Sequence, residues 1–232
     1  MYEEIDISKL PTKGVYYEKD VYLKVRMLTD QEVLYLKNRK SDLFMEQLHK
    51  LEYSLRAVDT NMDVLDICYT DVFYLYYKIC AKTYHDIPVN FNGKIVNYKI
   101  NSEDFMYTNP DFSKQEDMFY DKLNIKFYHP SIYNMSKANI NIIQLAQEEG
   151  SQRLQEQVML QRLALVPYLQ KEKISDNALD FVNEHMMSFS DAEILEMKDF
   201  KNEKENLILG QRISNKEDGE DKELLIQINQ LL

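Results

Sequence analysis

The sequence predicts an α+β fold: an N-terminal β-hairpin and helices with a small antiparallel β insertion, followed by a mostly α-helical C-terminal half. Three observations lead to this prediction. Apolar residues alternate with period two over 21–27, and the dipeptide Asn92-Gly93 lies between two β-prone runs. Beyond Met135, apolar residues recur at the three- and four-residue spacing of a helix. Strands first and helices later are typical of an α+β domain.

A turn interrupts the extended chain near the N-terminus. Pro11 fixes φ and Gly14 accepts a positive φ, so both predict a turn within the extended stretch 5–17. The strand at 21–27 follows and completes a hairpin-like start.

Three helices are predicted next. Thr29 and Glu32 have the spacing of a capping box, which predicts a helix over about 30–39. Apolar residues at helical spacing predict a second helix over about 41–57. A third, very aromatic helix is predicted over 66–84, although its central aromatic run would also suit a strand.

A small β insertion is predicted at about 87–128. Asn92-Gly93 tolerates the two positive φ values of a type I′ turn, so the runs on either side of it form a two-residue hairpin. A polar loop at 107–113 and an alternating strand at 122–128 complete the insertion.

The C-terminal half is predicted to be helical. One long helix extends from about 136 to 171, with a kink at Gly150 and a distortion at Pro167. Two shorter helices follow at 175–187 and 190–205, the second opened by another capping box.

These elements divide the chain into three predicted regions. Residues 1–134 form an α+β domain, 135–213 a helical domain, and 214–232 an acidic linker with an apolar C-terminal tail. Residues 216–223 are predicted to be an acidic, mobile linker. Of the net charge of −11, residues 172–232 carry −8, from 15 acidic and 7 basic residues.

Composition weighs against several classes of function. A net-negative surface repels phosphate backbones and anionic lipids, so neither nucleic acid nor a membrane is an expected partner. Five glycines leave few positions for a phosphate-binding loop. The acidic start Met1-Tyr2-Glu3-Glu4 predicts no signal peptide.

No residue pattern predicts catalysis, so we expect no enzyme, no cofactor and no metal site. The four histidines lie in different predicted elements and are expected to be structural. The two cysteines, twelve residues apart, are expected to be buried and reduced. Paired carboxylates are expected to be solvated. These residues are His49, His85, His129, His185, Cys68, Cys80, Glu3-Glu4, Glu148-Glu149 and Asp218/Glu220/Asp221.

Two features indicate binding to other proteins. The long Gln-rich helix has a narrow apolar stripe that faces either its own domain or a partner helix. The C-terminal tail has apolar residues that either fold back on their own core or dock on another chain. These candidate binding residues are Leu224, Leu225, Ile226, Ile228, Leu231 and Leu232.

Several segments resemble one family. Residues 10–17, LPTKGVYY, and 24–29, KVRMLT, which run into an acidic helix, resemble the "LPSKGxxY … v-x-vRplT-xxEe" signature of T-even-like phage baseplate-hub proteins. Asp71 begins an aromatic helix that ends in Thr83-Tyr84, similar to a family helix that closes in Ser-Tyr-Gly. Residues 187–191 are similar to the family's Ser-x-x-Asp helix start.

The resemblance implies a non-enzymatic protein of phage tail morphogenesis. Such a protein is either a baseplate-hub component or an assembly chaperone that binds the tape-measure and hub proteins, in the host cytoplasm or in the virion baseplate. The motif residues Leu10, Pro11, Gly14 and Tyr16 would then bind partners. The family's zinc pairs are not carried over, because the insertion holds no cysteine. The alternatives are a metal-dependent hydrolase of phage or mobile-element origin that uses carboxylates, and a generic protein-binding adaptor.

Overall fold

The structure is a computed structural model with an α+β fold, which confirms the predicted class. It describes residues 1–38, 44–84, 87–91, 94–98, 105–106, 118–147, 153–174, 177–204, 210–217 and 220–227. The chain divides into two compact units. Unit 1 comprises Met1–Val64, Thr70–Pro110 and Leu207–Leu232, and unit 2 comprises Leu65–Tyr69 and Asp111–Asn206.

A three-stranded antiparallel sheet begins unit 1. Its strands are β1 (Glu3–Glu4), β2 (Leu23–Val25) and β3 (Val58–Thr60), in the order β1-β2-β3. The hairpin-like start is present as the pairing of β1 with β2, but β2 is shorter than the predicted strand at 21–27. Leu23 and Val25 are buried as the alternation predicts, whereas Met27 lies beyond the sheet and is exposed.

The three helices of the N-terminal half are α1 (Asp30–Asn38), α2 (Phe44–Ser54) and α3 (Tyr69–Thr83). The first capping box is confirmed. The Thr29 N–H donates to Glu32 Oε2 at 2.8 Å, and the Glu32 N–H donates to Thr29 Oγ1 at 3.4 Å. The aromatic run that would also suit a strand lies within α3, and most of that helix is buried.

The Asn92-Gly93 hairpin is confirmed by its strand register. β4 (Ile87–Phe91) pairs with β5 (Lys94–Tyr98), and Phe91 lies opposite Lys94, which leaves two residues between the strands. The two turn residues themselves, and the predicted loop at 107–113, lie outside the described residues.

The predicted acidic linker is wrong for the described residues of 216–223. These residues belong to β9 (Gly210–Glu217) and β10 (Glu220–Gln227), an antiparallel pair that β6 (Phe105–Met106) joins in the order β10-β9-β6. Main-chain groups pair irrespective of side-chain charge, so an acidic segment can form strands when a neighbouring strand supplies the hydrogen bonds.

The described residues of unit 2 form a small β-ladder and four α-helices. The ladder pairs β7 (Phe119–Tyr120) with β8 (Ile125–Lys126), so the predicted strand at 122–128 is shortened. The reason is a 3₁₀ turn at Asp121–Leu123, which ends at Asn124 with φ of +55°. The left-handed conformation of Asn124 turns the chain back and lets β8 pair with β7.

The predicted single helix over 136–171 is wrong. It is two helices, α4 (Ile132–Gln147) and α5 (Arg153–Leu169), which pack against each other. The predicted kink at Gly150 lies outside the described residues, and Pro167 lies inside the last turn of α5.

The last helices follow the prediction more closely. α6 (Ala178–Phe181) continues as a π-helical turn at Val182–Met186, and α7 (Asp191–Lys204) comes next. The second capping box is confirmed, because the Ser190 N–H donates to Glu193 Oε2 at 2.7 Å. No helix within the described residues is both long and apolar enough to cross a membrane.

Candidate functional site: the Asp71-anchored loop

The segment that carries the N-terminal motif is a succession of tight turns, not an extended chain with one turn. Main-chain hydrogen bonds join Lys13 N–H to the Leu10 carbonyl at 2.9 Å and Val15 N–H to the Thr12 carbonyl at 3.2 Å. Tyr17 N–H donates to the Gly14 carbonyl at 3.1 Å. We call residues 10–17 the Asp71-anchored loop, because a carboxylate 54 residues beyond its end holds it.

Asp71 lies in the first turn of α3 and is fully buried. Its Oδ1 accepts the Thr12 N–H at 2.9 Å. Its Oδ2 accepts the Thr12 hydroxyl at 2.5 Å and the Tyr17 hydroxyl at 2.6 Å. Hydrogen bonds to a charged acceptor are the stronger kind, so this single side chain fixes both ends of the loop.

Burial determines the acidity of this carboxyl group. Loss of hydration raises the pKa of Asp71 to about 6, although the hydrogen bonds from Thr12 and Tyr17 favour the charged form and oppose the shift. Since Asp71 has no exposed surface, a substrate in solution cannot touch its carboxylate. The cluster therefore anchors the loop to α3.

The loop contains two consecutive residues in the left-handed region. Lys13 has φ of +53° and Gly14 has φ of +73°. An added Cβ at Gly14 would lie 2.2 Å from Cγ2 of Ile7, so the glycine is required by both its backbone conformation and the lack of space.

Gly14→Ala is expected to lower the free energy of unfolding by about 3 kcal/mol, the sum of left-handed strain and overpacking against Ile7. Urea unfolding followed by tyrosine fluorescence measures this change. In an Ile7→Ala background the clash is relieved, and we expect the cost of Gly14→Ala to fall to about 1 kcal/mol. An unchanged cost in that background would contradict the packing explanation.

The second segment of the motif, 24–29, is also fixed to named partners in unit 1. The Leu28 N–H donates to Thr83 Oγ1, near the end of α3, at 3.0 Å. Arg26 and Glu32 form a bidentate ion pair in which both N···O distances are 2.8 Å. The hydrogen bonds from the Arg26 guanidinium lower the pKa of Glu32 to about 2. Both motif segments thus contact α3, and the second also contacts α1.

The structure places the predicted binding residues of the loop in different environments. Leu10 and Pro11 are buried, so their side chains pack inside unit 1 and leave little surface for a partner. Gly14 and Tyr16 are half-buried, and Val15, which the motif does not single out, is 45 % exposed. That these residues bind a partner remains a prediction, and the accessible part of the loop is its tip around Val15.

The predicted binding residues of the C-terminal tail lie in another sheet. Leu224, Leu225 and Ile226 belong to β10 and pair with β9, while the others lie outside the described residues; these are Ile228, Leu231 and Leu232. Main-chain pairing of 224–226 within the chain favours the first of the two alternatives, folding back, for the backbone of this part of the tail.

Sequence reasoning missed the hydrogen-bond partners that build the loop, Thr12 and Tyr17. It also missed a pair of buried asparagines in α4. Asn134 donates to the carbonyls of Gln170 and Glu172 and accepts the Ile174 N–H, and Asn141 accepts the Ala178 N–H at 2.8 Å. The available signal was their seven-residue spacing, which places both on one face of a helix.

Arg162 of α5 is a further buried polar residue in unit 2. Its Nη2 donates to the Phe189 carbonyl at 2.8 Å and to Asp191 Oδ1 at 3.1 Å, and its Nε donates to the Met186 carbonyl at 3.4 Å. The guanidinium group thus holds the chain between the π-helical turn and α7.

The histidines and cysteines show no metal-binding arrangement in the part of the chain that the structure describes, where no group of three or more His, Cys, Asp or Glu could hold an ion. Cys68 and Cys80 are buried and are not joined by a disulfide, as predicted. His49 and His185 are exposed, His129 is buried, and His85 lies outside the described residues.

His129→Gln is expected to remove a large part of the acid sensitivity of unit 2. Burial lowers the pKa of His129 from 6.5 to about 4. Between these pH values the unfolded chain binds a proton that the folded chain does not, so stability is lost as pH falls from 6.5 towards 4. The loss is about 3 kcal/mol. Urea unfolding at pH 7 and pH 4, followed by circular dichroism, measures it. His185→Gln is an exposed control and should lose as much free energy of unfolding between pH 7 and pH 4 as the wild type does. An equal loss in all three proteins would contradict the prediction.

No family model, curated protein or solved structure matches this chain.

Proposed function

We propose that this chain is a non-enzymatic protein of phage tail morphogenesis, either a baseplate-hub component or an assembly chaperone that binds the tape-measure and hub proteins. The observation that supports the proposal is the set of contacts among three of the segments that carry the family resemblance: residues 10–17, residues 24–29 and α3. The first two lie far before α3 in the sequence, yet both contact it within unit 1.

The contacts link each segment to α3. Thr12 and Tyr17 of the first segment bind Asp71 at the start of that helix, and Leu28 of the second segment binds Thr83 at its end. A short motif that arose by chance would have no reason to contact the other similar segments. Mutual contact is expected where all of them belong to one inherited structural unit.

The same geometry suits a protein whose role is to hold other proteins. The loop is fixed by three hydrogen bonds to Asp71, so its exposed tip is presented in one conformation. A preorganised surface loses less conformational entropy on binding than a flexible one. The tip bears Val15, an exposed apolar side chain that a partner can cover.

Mass spectrometry of purified virions and of tail-assembly intermediates tests the proposal in the phage that encodes this chain. We expect the chain in at least one of them, and its presence in intermediates alone selects the chaperone. Absence from both, with no binding to co-expressed tape-measure or hub protein, would overturn the proposal. A rise in Tm with Mg²⁺ or Mn²⁺ would instead favour the metal-dependent hydrolase.

Val15→Asp is expected to weaken capture of the co-expressed partner at least tenfold, because it places a charge in the centre of the proposed contact. Leu34→Asp is the matched control, since Leu34 is equally apolar and is exposed on α1. Neither substitution changes a buried group, so both proteins should keep the wild-type Tm. Equal capture by the two variants would show that the loop tip is not the contact.

A further inference from the structure

The outer edge of β10 is an unusual feature of unit 1. All eight residues of β10 are in register with β9, from Glu220 opposite Glu217 to Gln227 opposite Gly210. Within the described residues, no strand pairs with its other side. Along an antiparallel strand, main-chain groups point alternately towards the neighbour and away from it, so half of those of β10 face outward.

The other sheet edges of the described chain are shorter than β10. β1, β6, β7 and β8 have two residues each and β3 has three, while β4, which contains Pro88, and β5 have five each. Short edge strands, proline and charged side chains are the usual protection against pairing with another chain, and of these β10 has only the charges of 220–223, which select for a strand of complementary charge. β10 has neither glycine nor proline, and its eight-residue register with β9 is unbroken.

We propose that the outer edge of β10 binds an extended segment of a partner protein as an added antiparallel strand. Specificity follows from the two halves of β10. Residues 220–223 contain three acids and one lysine, while 224–226 are Leu-Leu-Ile. The complementary strand carries Lys or Arg opposite the acidic half and apolar residues opposite the other half, because such cross-strand pairs are the favourable ones.

Over the full eight-residue register, the residue pattern of β10 disfavours a second copy of this chain as the occupant. Parallel in-register pairing of two β10 strands would place each acidic residue beside its own copy, which is destabilising. Antiparallel pairing of 220–227 with itself would place the acidic half opposite the apolar half. The partner is therefore a different chain, and only its identity as a tail protein rests on the function proposed above.

Hydrogen exchange of the free, full-length chain, followed by NMR, tests whether the edge is open. Slow exchange is expected at alternate residues of β10, which bond to β9, and exchange at least tenfold faster at the residues between them. Uniform protection along 220–227 would show that another part of the chain already covers the edge, and uniform fast exchange would show that the strand does not form. Either result overturns the inference.

The binding step is tested with two acetylated, amidated peptides. The probe is Thr-Val-Ile-Val-Lys-Thr-Lys-Lys, whose lysines lie opposite the three acids when it pairs antiparallel with β10. The matched control carries Glu at the three lysine positions. The probe is expected to slow exchange at the outward amides of β10 about tenfold, and the control less than twofold. No effect at millimolar probe, or an equal effect of the control, would overturn the inference.

These outcomes are distinguishable from those for the tail function. If the peptide binds but the chain is absent from virions and intermediates, the edge remains a binding surface and the tail role fails. If tail proteins are captured but the peptide leaves exchange in β10 unchanged, the tail role stands and the edge inference fails.

Discussion

Asp71→Ala is expected to lower the free energy of unfolding by about 3 kcal/mol at pH 7. The substitution removes the carboxylate that accepts three hydrogen bonds. The donors that lose this acceptor are the Thr12 N–H, the Thr12 hydroxyl and the Tyr17 hydroxyl. Each buried donor left unsatisfied costs about 1 to 3 kcal/mol, and the sum is reduced because burying the Asp71 charge is itself unfavourable.

The contribution of Asp71 to stability should increase as pH falls, whereas the contribution of His129 decreases. The pKa of Asp71 is raised from 3.8 to about 6 by folding, so below pH 6 the folded chain binds a proton more tightly than the unfolded chain. This contribution is complete below pH 3.8 and is lost as pH rises through 6. The difference between wild type and Asp71→Ala should therefore be about 1 to 2 kcal/mol larger at pH 5 than at pH 7.

Urea unfolding followed by tyrosine fluorescence measures these changes, since the chain has 17 tyrosines and no tryptophan. Asp20→Ala is the matched control, because Asp20 is exposed and its backbone carbonyl, which accepts the Asn61 amide, is retained. Asp71→Asn keeps an acceptor, so it should lose less stability than Asp71→Ala. Because asparagine cannot titrate, the difference in unfolding free energy between Asp71→Asn and Asp71→Ala should be the same at pH 5 as at pH 7. Equal stability of Asp71→Ala and Asp20→Ala would contradict the anchoring role.

Arg162→Met is expected to cost about 3 kcal/mol. Methionine fills part of the volume of the arginine stem but donates no hydrogen bond, so the carbonyls of Met186 and Phe189 lose their donor. Hydrogen bonds to a charged group contribute about 1.5 to 3 kcal/mol each when they are buried. The side chain of Arg162 is only 6 % exposed, so water replaces these bonds poorly.

The stability lost in Arg162→Met should come from the region that Arg162 contacts, and hydrogen exchange can identify that region. Amides of the π-helical turn and of the first turn of α7 should exchange faster in Arg162→Met than in wild type, while those of α4 change least. Lys198→Met removes an exposed cation from the same unit and should leave stability within about 0.5 kcal/mol of wild type. If the two variants unfold at the same urea concentration, Arg162 does not hold this connection.

Elements with a local cause were predictable from the sequence. Both capping boxes depend on residues three apart, Thr29 with Glu32 and Ser190 with Glu193, so short-range spacing was sufficient. The hairpin at Asn92-Gly93 was predictable for the same reason, because its register follows from the length of the turn.

Elements determined by distant contacts were not predictable. Apolar residues keep helical spacing through 136–171, but the side-by-side packing of α4 and α5, which that spacing does not encode, divides the segment into two helices. The acidic composition of 216–223 is typical of solvated chain, yet pairing between β9 and β10 determines its structure.

The candidate site was predictable only in part. The motif residues pointed to the segment 10–17, but its partner Asp71 is 59 residues away from Thr12 and no spacing rule connects them. The burial of Leu10 and Pro11 leaves Val15 as the exposed apolar residue of the loop, and the motif, which does not specify that position, could not predict it.

The discontinuity of unit 1 has a consequence for the order of folding during synthesis. β9 pairs with β6, but Gly210 leaves the ribosome only after all of the second segment of unit 2 has been translated. Gly210 is the 104th residue after Met106, so at about 5 to 20 residues per second it is translated roughly 5 to 20 s later. During that interval β6 lacks its neighbour, so the sheet β10-β9-β6 is the last part of the nascent chain to assemble.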